Sequence, residues 1–291
     1  MYPTVLLFLA RDDRDAVMVE GFLGIAPRIG VERIVVGHCQ VDEPLPPMIA
    51  RNLPTSKESA LPDLQPHLDR IRAALPDAVV EELYEQCTPL ELLEAAERDI
   101  SPDLVVIARD PCTDDRPAWG QIGHNIIRHS DVSVLVVPSD WTGPTNGAVV
   151  GMDFSEHAIE ALQVARRLFD DTVCVYQFNP AHRHAGSMTE SEFATHVADN
   201  AQDTFAEVVV PLLKGSAPPL EVVAADKASD AVVDRAGRDH YIVAGSRGLS
   251  PFAAMLLGST AERIAGRARA PVLVIRKKGE MMGVVEGLIH R

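Results

Sequence analysis

The residues best suited to chemistry lie between positions 244 and 260. Gly245, Gly248 and Gly258, followed by Ser259 and Thr260, give the spacing Gly-x2-Gly-x9-Gly-Ser. Gly245 and Gly248 permit close approach of backbone to a ligand, or a positive φ. Gly258, Ser259 and Thr260 stand at a predicted helix N-terminus, where free N–H groups and the helix dipole favour phosphate. The two hydroxyls can add bonds to phosphate oxygens or to a bound Mg²⁺. Arg247 offers a positive charge nearby, or is a solvated loop residue. Asp153 can accept a hydrogen bond from an adenine amino group or a ribose hydroxyl, or cap the helix that follows it. Ser259 and Glu262 also read as an ordinary Ser-x-x-Glu capping box, which needs no ligand.

These residues need a frame, and the chain supplies it twice. DLVVIARD (103–110) leading to SVLVVP (133–138) parallels HYIVAGSRG (240–248) leading to PVLVIR (271–276), at an offset of 138 residues. So long a period reads as duplication of a whole domain. In the second half, GAVVGM, TVCVYQF, LEVVAA, YIVAG and PVLVI are strand candidates. Ser155 caps a helix with Ile159, Leu162, Ala165 and Phe169 on one face, and a second helix shows Phe193, Val197, Ala201 and Phe205. TVLLFLA, ERIVVGH, AVVEEL, DLVVIA and SVLVVP are the five candidates of the first half. Strands alternating with helices predict an α/β fold: two tandem doubly wound domains, each a five-stranded parallel sheet of order 3-2-1-4-5 flanked by helices. Near-continuous Val/Ile runs predict strands covered on both faces. The expected domains are residues 1–140 and 147–276, joined by the Pro/Gly-rich segment 138–147, with an apolar tail at 277–291. In such a sheet ligands bind beyond the carboxyl ends of the strands, between the first and the fourth.

Residues 147–276 resemble a universal stress protein domain. The resemblance rests on GMDFSEHAIEAL after the first strand and on AGSRGLSPFAAMLLGSTAERIAGRARAPVLVIR at the end. The glycine spacing is that of the ATP-binding members. It implies ATP, with Mg²⁺, as the ligand. Asp153 would contact the adenosine moiety and the backbone at Gln177 would flank the base. Ala244, Gly245, Gly248, Gly258, Ser259 and Thr260 would hold ribose and phosphates. Gly151 stands where some ATP-binding members have proline, and Gln177 where an apolar residue is usual. The resemblance further implies a cytoplasmic role in stress response or regulation, pairing of the two domains within the chain, and a homodimer as one assembly.

The first half shares the layout and not the motif. Its fourth strand ends Ile107-Ala108-Arg109-Asp110-Pro111, with no Gly-x2-Gly. Asp110, Asp114 and Asp115 crowd the phosphate position, against Arg109 and Arg116. Its first strand ends Leu9-Ala10-Arg11, so the binding Asp is absent or displaced. Gly120 is followed by Gln121 and Ile122 in place of Ser and Thr. This half is expected to keep the fold without the nucleotide site.

Composition excludes other classes. Forty-two acidic against 27 basic residues leave a net charge of −15. Residues 1–145 hold 12 bases and 24 acids (−12), and residues 146–291 hold 15 and 18 (−3). Such a chain is a poor binder of nucleic acid or anionic membrane. No apolar run approaches a membrane span, and the first residues lack the basic region of a signal peptide. The four cysteines, Cys39, Cys87, Cys112 and Cys174, form no CxxC pair and read as free thiols, Cys174 inert in a strand and Cys112 the more reactive. His182-Arg183-His184 lacks a ligand partner at metal spacing and reads as a polar loop. Trp119 and Trp141 are expected to pack at the linker or at the domain interface. No Walker A, Gly-x-Ser-x-Gly or HExxH sequence is present, so no catalytic residue is assigned. Three functions stay open: an ATP-binding module with an unknown protein partner, an interaction scaffold with vestigial sites, and a slow ATPase.

Overall fold

The computed structural model describes residues 1–39, 56–85, 87–111, 121–143, 145, 147–182, 188–246 and 257–276. Two compact units emerge, and the chain passes from one to the other at Thr142–Gly143.

The first unit contains β1 (Thr4–Phe8), α1 (Arg14–Leu23), α2 (Ala26–Ile29), β2 (Arg33–Cys39), α3 (Ser56–Ala74), β3 (Val79–Glu85), α4 (Pro89–Asp99), β4 (Leu104–Arg109), α5 (Gln121–His129) and β5 (Ser133–Pro138). Its strands run in the order β3-β2-β1-β4-β5, and every pair is parallel. The apolar runs decide who is central. Val5, Leu6 and Leu7 of β1 and Leu104, Val105 and Val106 of β4 are fully buried, as strands covered on both faces must be. β3 departs from the expected continuous burial. It is an edge strand with an exposed Val79, and Arg33 of β2 pairs across to Glu81 at 2.7 Å. Charge on an edge discourages strand addition. Pro89 at the first turn and a reciprocal Thr88–Glu91 capping box start α4.

The second unit repeats the plan: β6 (Gly147–Gly151), α6 (Glu156–Leu168), β7 (Thr172–Phe178), α7 (Glu190–Thr204), β8 (Leu220–Ala224), α8 (Ala228–Ala236), β9 (His240–Gly245), α9 (Ser259–Arg267) and β10 (Val272–Ile275). The order is β8-β7-β6-β9-β10, again parallel throughout. Both units therefore have the expected order, with the first strand of each at the centre.

Ser155 caps α6 by accepting the Ala158 N–H at 3.2 Å, as its place in the sequence predicts. The helix then buries Ile159, Leu162 and Ala165, and Phe169 lies 5.0 Å from the Tyr241 ring of β9. On α7 only the last turn of the expected stripe is fully buried: Ala201 and Phe205 are, whereas Phe193 and Val197 are half-exposed. Phe205 opens a π-helical turn, Phe205–Val209, that continues this helix.

Candidate functional site

Parallel pairing sets the carboxyl ends of β6, β7 and β9 side by side. Gly151 of β6 is opposite Val175 of β7, and Val150 is opposite Val243 of β9. Asp153, Gln177 and Ser246 therefore emerge at one edge of the sheet. The N-terminus of α9 joins them there, because the Gly258 N–H donates to the Ser246 carbonyl at 2.8 Å.

The local chain explains how Asp153 is presented. Phe154 adopts φ +62°, an uncommon conformation for a bulky residue. Its ring is held 5.2 Å from that of Tyr176. This left-handed residue turns the chain sharply from β6 into α6. Asp153 Oδ1 then accepts both the Ser155 N–H at 3.0 Å and the Ser155 hydroxyl at 2.5 Å. The helix-turn role weighed from sequence is thus present. Its second oxygen, Oδ2, has no protein partner among the described residues.

At α9 the Ser259–Glu262 capping box is overturned. Gly258 is the N-cap, with φ −62° and ψ 141°, and no side chain among the described residues caps the helix. Ser259 is the first helical residue, since the Gly258 N–H is already committed to Ser246 and the Glu262 N–H returns to the Gly258 carbonyl at 3.0 Å. Ser259 and Thr260 are exposed. The first turn thus presents uncapped N–H groups and two hydroxyls, a donor set suited to phosphate oxygens.

Gly245 has a role the sequence did not disclose. A Cβ there would lie 2.6 Å from the His157 carbonyl oxygen, 2.7 Å from its carbon and 2.8 Å from its Cβ. The glycine lets β9 and α6 approach each other, and its φ is not positive. Ala244 is buried, paired with Val274, and offers backbone only. The Gln177 side chain donates to the Ala225 carbonyl, which ties β7 to the end of β8. Arg247 and Gly248 lie outside the described residues, as do Cys112, Trp119, Gly120, Arg183 and His184. Trp141 is buried in the first unit. Ser246 was passed over as a variable position in the motif. Its hydroxyl is buried and finds no hydrogen-bond partner among the described residues. A buried hydroxyl without a partner is rare.

The corresponding edge of the first unit is built differently. Arg11 has φ +65°, matching Phe154, and the Leu9 N–H bonds the Gly37 carbonyl as Met152 bonds Val175. This register places Ala10 where the second unit has Asp153. The nearest buried carboxylate, Asp15, turns inward instead: it accepts the Ala10 N–H at 2.8 Å and the Arg11 N–H at 2.7 Å. Burial pushes the Asp15 carboxyl up despite those two bonds. Arg14 joins Asp12 to Asp110, and its hydrogen bond holds Asp12 below the usual carboxylate range. Arg109 is buried where Ser246 stands in the second unit, and donates to the Asp110 carbonyl at 2.7 Å. The charges of this edge are spent on one another. No group of three or more metal-ligating side chains occurs among the described residues, and no described helix is long and apolar enough to cross a membrane.

Residues 147–276 match the model of the universal stress protein family. A universal stress protein of Mycobacterium tuberculosis is 27% identical over 178 residues, covering 54% of this chain and 56% of that protein. The chain thus spans about half the length of the curated relatives it matches. A universal stress protein from Archaeoglobus fulgidus aligns over 95% of this chain and 99% of its own, with a TM-score of 0.59 at 17% identity. A functionally unknown protein from Pseudomonas aeruginosa covers 100% of this chain and 98% of its own, with a TM-score of 0.62 at 13% identity. The likeness to the family model lies at residues 147–276. At such low identity the structural matches speak for fold alone, and they do so over both halves.

Proposed function

We propose that the second unit binds ATP at the carboxyl edge of β6 and β9 and that the chain acts as a nucleotide-dependent stress-response protein rather than as an enzyme. The observation that carries the reading is the uncapped N-terminus of α9, held beside Ser246 and level with Asp153. Ser259, Thr260 and the first-turn N–H groups would take the phosphates, and the two hydroxyls would help hold a Mg²⁺ that offsets phosphate charge. Asp153 Oδ2 would accept from the adenosine moiety, and the backbone at Gln177 and Ala244 would line the base and ribose. Arg247 and Gly248 complete the set proposed from sequence. The stress-response part rests on the names of the matching proteins. The matched edge of the first unit lacks the aspartate and is closed by internal ion pairs, which supports one nucleotide per chain.

A second reading has its own support. Gly245 is needed for packing against His157, and Gly258 has an ordinary φ, so part of the motif persists without any ligand. On that reading the chain is a scaffold.

Calorimetric titration of ATP with Mg²⁺, with chromatography of any nucleotide released on denaturation, separates the two. One ATP per chain supports the proposal. Two would mean that the first unit also binds. None, with the fold intact, establishes the scaffold. Gly258→Val should weaken ATP by at least about tenfold, roughly 1.4 kcal/mol, because a branched side chain obstructs the cap. Bound ATP should stay intact over days; steady release of ADP would turn the reading toward a slow ATPase.

A further inference from the structure

The four cysteines are scattered in sequence, but two of them meet in the first unit. Cys39 ends β2, and Cys87 follows β3 and immediately precedes Thr88, the N-cap of α4. The register of β2 on β3 sets Cys39 opposite Glu85, two residues before Cys87. Their sulfurs are 3.9 Å apart, within reach of a thiol–thiol hydrogen bond, and no disulfide joins them. Both residues are partly exposed.

We propose that Cys39 and Cys87 are a site of reversible oxidation, closing to an intramolecular disulfide under peroxide or a small-molecule disulfide. The geometry also assigns the order of events. Cys87 sits at the N-terminal end of an eleven-residue helix, where the dipole favours a thiolate. Burial, with Glu85 and Glu91, raises its thiol, while the Cys39 thiol and the Leu92 N–H act the other way. Cys39 is raised further, by burial first and then by Cys87 and the same two acids. Cys87 is therefore the attacking sulfur and Cys39 the resolving one.

With hydrogen peroxide the Cys87 thiolate attacks one oxygen. The O–O bond breaks, hydroxide leaves and takes a proton as water, and Cys87 becomes a sulfenic acid. The Cys39 sulfur then attacks the Cys87 sulfur; the S–OH bond breaks, and the hydroxyl leaves as water with the Cys39 proton. Two thiols and one peroxide thus give one disulfide and two waters, each sulfur oxidised by one electron. A dithiol reductant restores both thiols by exchange.

The test uses the full chain. It is treated with hydrogen peroxide, alkylated in denaturant, digested and analysed by mass spectrometry, with and without later reduction. Titratable thiols should fall from the four of the sequence to two, with one cross-linked peptide pair containing Cys39 and Cys87 that dithiothreitol releases. Oxidation of Cys87 to sulfinic acid without the cross-link would overturn the proposal, and so would disulfides only between chains or only to Cys112. Two variants test the order. Cys39→Ser should leave Cys87 as a sulfenic acid that dimedone captures. Cys87→Ser should slow oxidation at Cys39 at least about tenfold. Equal rates at Cys39 in that variant and in the wild type would refute the assigned order. The wild-type measurement stands even if a variant folds poorly.

Discussion

Replacing Gly245 by alanine adds one methyl group at a place where three atoms of His157 stand within 2.6–2.8 Å, whereas ordinary contacts begin near 3.4 Å. Two of the three are backbone atoms of α6, so no rotamer relieves the clash. The helix must move by roughly 0.6–0.8 Å, and it carries Ala161, Leu162 and Ala165, all fully buried. Overpacking of this kind costs about 1–3 kcal/mol, and a backbone obstacle puts Gly245→Ala toward the upper end. Alanine recovers roughly 0.4–1 kcal/mol by restricting the unfolded chain. The net loss is therefore about 2 kcal/mol, some thirtyfold in the folded-to-unfolded ratio. Gly151→Ala is the control: its Cβ meets only Val232 Cγ2, at 3.1 Å, and that methyl can turn away. Its two effects nearly cancel, to within about 0.5 kcal/mol. Urea unfolding followed by circular dichroism, with amide exchange at Ile242–Ala244, measures both. A Gly245→Ala midpoint equal to wild type, or to Gly151→Ala, would refute the packing role and return this glycine to the ligand.

Three further outcomes follow from the geometry. Ser155→Ala removes the cap of α6 and a buried hydroxyl, and should cost about 1–2 kcal/mol in the same unfolding assay; Asp153 Oδ1 keeps only its bond from the backbone N–H of residue 155. Asp15 gives a pH dependence. Its folded pKa lies above the unfolded value of about 3.9, so its contribution is fully present below that value and is lost as pH rises through the folded pKa. The stability of the wild type relative to Asp15→Asn should accordingly decline as pH rises from about 4, and a difference that grows with pH would contradict the burial argument. Cys174 is buried in β7 with its thiol pushed up to about 12, so iodoacetamide at neutral pH should spare it until the chain unfolds; rapid labelling of native protein would mean that β7 opens readily.

Some of this was readable in the residues and some was not. The apolar runs and their alternation with helices gave the strands and helices of both units, because strand and helix periods are local properties; the strand order followed from taking the sheets as doubly wound. Ser155 was found as a cap for the same reason. The start of α9 at Ser259 was legible, but the Ser259–Glu262 capping box read from the same residues does not form. Gly258 and Ser259 are equally plausible caps in sequence, and the choice is made by the Ser246 carbonyl, twelve positions upstream, which fixes the Gly258 N–H. Gly245 looked like a glycine waiting for a ligand, yet its obstacle is the carbonyl of His157, distant in the chain. No motif signals such a contact. Ser246 and the Cys39–Cys87 approach escaped likewise: each depends on parallel register, which brings together residues that no spacing rule connects.

The strand order also has a consequence for how the chain reaches this structure. In each unit the strand made first is the one that ends at the centre. β1 cannot acquire its β4 neighbour, Val5 opposite Leu104, until a further 99 residues have been added (104 − 5). β6 waits 93 residues for β9, from Gly147 to His240 (240 − 147). During synthesis an apolar central strand therefore keeps one hydrogen-bonding edge open across most of a domain's length. Closing it requires a large loop to be ordered at one step, which makes folding slow for the size of the unit and leaves the nascent chain dependent on protection from its neighbours.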